Sequence, residues 1–150
     1  MTVMMGREPW TQAFLHGAAE RLAAAGAGAW KPDGSYAASD VGVYMQVLPT
    51  KPDRGIAIAH YDVDPSLHGH GVQGLTVRCR GTKDPTVVGD IADSVFDALH
   101  GLRAVMFRSV FVAVVWRQSH SPLGADGTGR WQTTSNFYAL TTRQSPHASE

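Results

Sequence analysis

Five side chains able to bind a metal or move protons fall between positions 60 and 70: His60, Asp62, Asp64, His68 and His70. Spaced by two, imidazoles and carboxylates point to one side of an extended strand and can share a divalent cation. Pro65 and the nearby glycines break that regularity, and no distant second ligand set completes a shell. A solvated loop is the simpler reading. The overlapping GHGVQG, Gly69 to Gly74, matches the GxGxxG spacing that cradles a pyrophosphate. That motif needs a helix opening within it, whereas LTVRCR follows with strand alternation. Asp90, Asp93 and Asp97 form an acidic stripe at helical spacing; such carboxylates raise one another's pKa only when buried together. Cys79 and His100 are the only nucleophile–base couple to weigh, and Cys79 sits in the inward phase of its strand, as a small apolar residue would. With no GxSxG, P-loop or HExxH pattern, the residues favour a protein that is not an enzyme and takes no cofactor. A metal-dependent enzyme built on His60 to His70 is the distant alternative.

The 150 residues suit one domain with one core. Basic and acidic residues number 13 each, so the formal net charge is +0, which disfavours a dedicated nucleic-acid binder. Charged residues are only 17% of the chain, and a weakly charged, neutral surface tends to associate. One cysteine excludes an internal disulfide framework. MTVMMGREPW lacks a secretory layout, and the apolar run Val110 to Trp116 is too short for a membrane span. The expectation is a soluble protein of a reducing compartment, with no membrane partner.

Spacing then places the elements. Trp10, Phe14, Ala18 and Leu22, widened by Leu15 and Ala19, mark one face of a helix that Gly26 and Gly28 end. Val41 to Val47 and Ile56–Ile58 read as two strands, with LPTKPDRG between them as a hairpin-type turn. A third strand holds Leu75, Val77 and Cys79 inward and Arg78 and Arg80 outward. Asp84 caps, and Pro85 starts, a second helix whose face is Val88, Ile91, Ala92, Val95, Phe96 and Leu99. Strands from about Phe107 to Arg117 and Arg130 to Arg143 finish the domain, with a long loop at 118–129 and a flexible tail at 144–150. The predicted fold is α+β: a mainly antiparallel, possibly mixed sheet of about five strands with two helices on one face.

One strand strains this picture. Val110, Val112, Val114 and Trp116 alternate with Phe111, Ala113 and Val115, so both faces are apolar. Two helices cover only one side of a sheet; a neighbouring copy of the chain is the economical cover for the other. Trp30, in a Gly/Pro loop, and Trp131, where a polar loop re-enters a strand, are candidate interface anchors.

Three stretches carry a family resemblance: WTQAFLHGAAERLAAAG, GLTVRCRGTKDPTVVGDIADSVFDALHGL and GRWQTTSNFYALTTR. In this order they resemble the minor capsid and tail terminator proteins of long-tailed bacteriophages. The GAGAWKPDGSYAAS loop and the histidine-bearing loop have no counterpart in the pattern, so nothing carries over to them. The resemblance implies a structural virion protein at the neck, assembled in the host cytoplasm. Its expected form is a hexameric ring on the tail tube that stops polymerisation and joins the tail to the head-side connector. DNA would pass through the ring without sequence-specific binding. A head-closure or neck connector protein is the alternative of the same type. Within that frame the subunit-interface candidates are Trp30, Arg78, Arg80, Asp93, Asp97, Phe111, Ala113, Val115 and Trp131. Either arginine would meet Asp93 or Asp97 of an adjacent subunit. Asp126, Gly127 and Arg130, in the glycine-rich loop, are candidates for contact with the tube or the connector.

Overall fold

The chain runs helix, three strands, helix, three strands in the computed structural model, which describes residues 8–65 and 69–143. The elements are α1 (Trp10–Ala24), β1 (Gly42–Met45), β2 (Gly55–Asp64), β3 (His70–Arg80), α2 (Pro85–Leu99), β4 (Arg103–Phe107), β5 (Val110–Ala125) and β6 (Trp131–Thr142). They form one six-stranded sheet, ordered β1-β2-β3-β6-β5-β4. The fold is α+β, with both helices on one face, as the alternation and helix stripes predicted. No helix among the described residues is long and apolar enough to cross a membrane.

Three local expectations change. The strand expected from about Phe107 begins at Val110 as β5, and an unpredicted strand, β4, precedes it across the Arg108–Ser109 turn and supplies the sixth strand. β1 and β2 are parallel, so LPTKPDRG is a crossover and not a hairpin turn. The predicted long loop at 118–129 is mostly strand: β5 continues to Ala125 and pairs with β6 along its length. Its glycines and polar residues reflect a hairpin with one exposed side, since a strand facing water needs no apolar residue there. The expected tail at 144–150 lies outside the described residues.

Packing explains the shape. Helix α2 lies against β3, β5 and β6, in the middle of the sheet, while α1 touches β1 and β2 and also β4 and β5. These pairs stand at opposite ends of the strand order, so the sheet must curl around α1. Bulges in β5 and β2 supply the bend. Phe14 of α1 sits at the focus, fully buried, with its ring 5.6 Å from those of Trp10 and Phe107. Gly17, one turn on, lets the helix backbone reach β4: a Cβ there would lie 2.4 Å from the Phe107 Cα. Ion pairs from Arg108 to Glu8 and Glu20 hold the β4–β5 turn to the same helix.

The β1 edge is closed to further strands. Ala29 exchanges hydrogen bonds with Val41 and Val43, and the Tyr36 hydroxyl donates to the Val43 carbonyl at 3.1 Å. The outward backbone of β1 is thereby occupied at Val43, which blunts it as a template.

At the far end of β5 and β6 the turn is held by charge. Asp126 accepts from the backbone N–H groups of Thr128 and Arg130 and from the Arg130 Nε at 2.9 Å. Arg130 also donates to the Thr50 carbonyl and pairs with Asp53. Beside it, Arg80 donates to the carbonyls of Pro52 and Asp53 at 3.0 and 2.7 Å, and to that of Pro49. The two arginines thus tie the hairpin tip and β3 to the β1–β2 crossover.

Two tests follow from this packing. Replacing Gly17 with Val should destabilise the protein by roughly 1–3 kcal/mol through overpacking, lowering the melting temperature by several degrees. Gly89 of α2 has open space around its Cα, so Gly89→Ala should raise stability by about 0.5–1 kcal/mol from helix propensity alone. Equal responses at the two glycines would refute the close approach of α1 to β4. The second test concerns pH. Backbone hydrogen bonds from Arg130 lead the causes holding the Asp126 carboxyl far below its ordinary value, so its contribution is present above the unfolded carboxylate pKa of about 4. Asp126→Asn should therefore lower the melting temperature at pH 7, and the gap should narrow as pH falls below that point.

Candidate functional site

Among the described residues the sheet face away from the helices is uncovered, and its chemistry changes along the strands. One cross-strand row carries Tyr61, Gly74, Tyr138 and Trp116. A Cβ at Gly74 would fall 2.2 Å from the Tyr61 ring, so the absent side chain is what lets the tyrosine lie flat across β3. Trp116 and Tyr138 meet edge to face at 5.8 Å. Towards β4 the surface becomes aliphatic, with Val114 opposite Leu140 and Phe111 opposite Met106. Met106 is 53% exposed, Phe111 39% and Leu140 37%. In the other direction it becomes polar. Thr76 donates to Asn136, and Asn136 donates to Ser119, at 3.1 and 3.0 Å. Beyond them, Arg78 borders a hollow of about 250 Å³.

The bulge in β5 between Val112 and Val114 corrects the sequence phase. One extra residue turns the following side chains over, because strand side chains alternate with period two. Val110, Val112 and Val115 are therefore all in the helix-covered core. Val115, expected on the open face, is instead turned into the core and 1% exposed. Val114 and Trp116, expected to face the core, join Phe111 outside, and Ala113 occupies the bulge itself, half-buried.

The other candidates separate by whether the chain already uses them. Arg78 keeps its outward place and is half-buried. Arg80 shares that phase, but the β1–β2 crossover folds over it, leaving it 5% exposed; burial comes first among the causes lowering its pKa. It is spent on three carbonyls and cannot meet a neighbour's aspartate. Arg130, 9% exposed, and Asp126 are likewise engaged with each other, so they shape the hairpin tip and do not project from it. Gly127 is exposed at that tip. Asp93 and Asp97 are exposed on the outer side of α2. Trp30 packs against the core, with its ring 5.6 Å from His16. Trp131 is 37% exposed and donates its indole N–H to the Lys83 carbonyl.

The constellations with chemical potential are taken apart by the fold. His60 places Nε2 2.6 Å from the Gln73 Oε1 and its ring edge-on to Trp10 and Phe14. That is the environment of a satisfied core histidine. Asp62 lies 3.6 Å from the same nitrogen and is exposed, while His68 lies outside the described residues. Gly69 to Gly74 runs into β3, so no helix N-terminus is available for a phosphate. Burial pushes the Cys79 thiol up to about 12, which leaves it inert. His100 instead stacks on Phe96 and accepts from the Arg117 backbone N–H.

Sequence reasoning missed Tyr61, Trp116, Tyr138, Met106 and Leu140 as members of one surface. The only local signal was the run of apolar residues after Val110; the bulge that turns them is not written in residue types.

A family model described as "Bacteriophage tail terminator protein" matches residues 21–143. No curated protein sequence matches the chain. Among solved structures, a chain of the "Virion of native gene transfer agent (GTA) particle" has a similar fold, with a TM-score of 0.57 at 16% identity, covering 67% of this chain and 78% of that one. With the family model spanning both the open-faced sheet and α2, this chain belongs to the bacteriophage tail terminator family.

Proposed function

We propose that this structural virion protein, which caps the tail tube, does so as a closed ring of six copies, each laying its open sheet face against the helix side of the next. The observation that supports this is the aliphatic strip of Met106, Phe111, Val114 and Leu140, left in water by the single chain. Apolar surface of this kind gains roughly 25 cal/mol for each Å² removed from water, and large exposed patches mark interaction sites. The two faces involved differ, so the contact is head-to-tail; such contacts close into rings when the rotation between copies allows.

Stopping a polymer also requires a surface that does not invite the next layer. The β1 edge meets that need, because Ala29 and Tyr36 already use its outward backbone at Val43. The β5–β6 hairpin tip, held in shape by Asp126 and Arg130 and exposed at Gly127, is the axial contact with the tail tube or the head-side connector. Trp131 is a further anchor at the rim, whereas Trp30 serves its own core. DNA crosses the bore without being gripped, since a chain of net charge +0 lacks the basic balance of a dedicated nucleic-acid binder.

Particles lacking this chain should carry overlong tails; normal tails with leaking heads would instead indicate a head-closure role. Phe111→Asp should change folding stability by no more than about 0.5 kcal/mol, as surface changes typically do, while abolishing rings on tail tubes imaged by electron microscopy. Intact rings in that variant would refute the open face as the lateral contact.

A further inference from the structure

The hollow beside Arg78 has no role in the aliphatic contact. Its floor is Ala57 and Ala59 of β2, two small side chains in the same cross-strand rows as Arg78 and Thr76. Thr134 of β6 and Leu123 of β5 border it on the other side, with Leu123 half exposed. The Nε of Arg78 is buried, with no hydrogen-bond partner among the described residues. Arg80, two residues on in the same strand, has all the acceptors it needs. A buried guanidinium donor without an acceptor is a standing cost of desolvation, recovered only when an acceptor arrives.

We propose that this hollow is a socket for a carboxylate side chain, filled in the ring by Asp93 or Asp97 of the adjacent copy. The inference rests on the ring reading and deepens it. A guanidinium offers a planar fork of donors that fits a carboxylate with two bonds. Asp93 and Asp97 stand one helical turn apart on the exposed side of α2 and enter no ion pair among the described residues. Socket and carboxylates lie on opposite sides of the subunit, across the sheet from one another. One copy therefore cannot pair them internally, whereas a head-to-tail ring pairs them at every joint. The small, partly apolar hollow suits a short side chain better than the phosphate backbone of DNA. The aliphatic strip then supplies area and the socket supplies register, since a desolvated charge pair tolerates little misplacement.

Ring occupancy on tail tubes, counted by electron microscopy beside thermal melts of the free protein, tests the socket. Arg78→Met removes the unpaired donor and keeps the bulk, so its melting temperature should match or exceed that of the wild type while ring occupancy falls about tenfold or more. Arg78→Glu should lose rings too, and should regain them when combined with Asp93→Arg or Asp97→Arg. Rings on wild-type and Arg78→Met tubes in equal number would overturn the socket and leave the ring reading standing. Failure of both reversed pairs to restore Arg78→Glu would overturn the carboxylate partner. Loss of DNA retention in Arg78→Met particles whose rings are intact would assign the arginine to phosphate instead. Absence of rings from wild-type tubes would remove the ring reading and the socket together.

Discussion

The curl of the sheet around α1 is the constraint from which the other features follow. A flat six-stranded sheet could not bring both of its ends to one helix, yet α1 packs on β1 and β2 and again on β4 and β5. Phe14 against Phe107, and Gly17 against the Phe107 backbone, set how closely that happens. Because bulges provide the bend, they also decide which side chains end up outside. The concave side holds both helices and nearly all the large apolar residues. The opposite side keeps an aromatic row and an aliphatic strip that no other described residue covers.

This division accounts for the unusual use of charge. The chain is neutral and carries few charged residues, and several of its arginines are internal fasteners. Arg80 and Arg130 hold the crossover and the hairpin tip, and Arg108 fixes the β4–β5 turn to α1. Such buried or bonded guanidinium groups order loops that have little apolar surface of their own. The charges that remain outside these ties are of both signs, so the net charge stays at +0. The blunted β1 edge adds a complementary property: at that end of the sheet the backbone at Val43 is already taken.

Much of the fold was legible in the sequence because helix and strand periods are local. The faces of α1 and α2, the Asp84 cap and the Pro85 start appear in the structure where spacing placed them. So does the alternation of β3, with Cys79 inward and Arg78 outward. The second half of β5 was not legible as strand, since Gln118 to Gly129 reads as a polar, glycine-rich loop. Pairing with β6 decided that stretch, and pairing is a long-range property. The parallel course of β1 and β2 escaped for the same reason.

The sequence by itself determined the class of molecule: one core, two amphipathic helices on a sheet, no assembled catalytic set, and apolar residues in excess of what two helices can cover. These are statements about residue types and their period, and the unfolded chain already contains them. Tertiary structure alone decided which apolar residues face out, because the bulge at Ala113 turns over the side chains from Val114 to Arg117, until the next register shift before Ser119. It also decided which arginines are free, since Arg78 and Arg80 share a phase and differ only in whether the β1–β2 crossover folds over them. Both outcomes depend on contacts between segments far apart in the chain, where neither spacing nor propensity reaches.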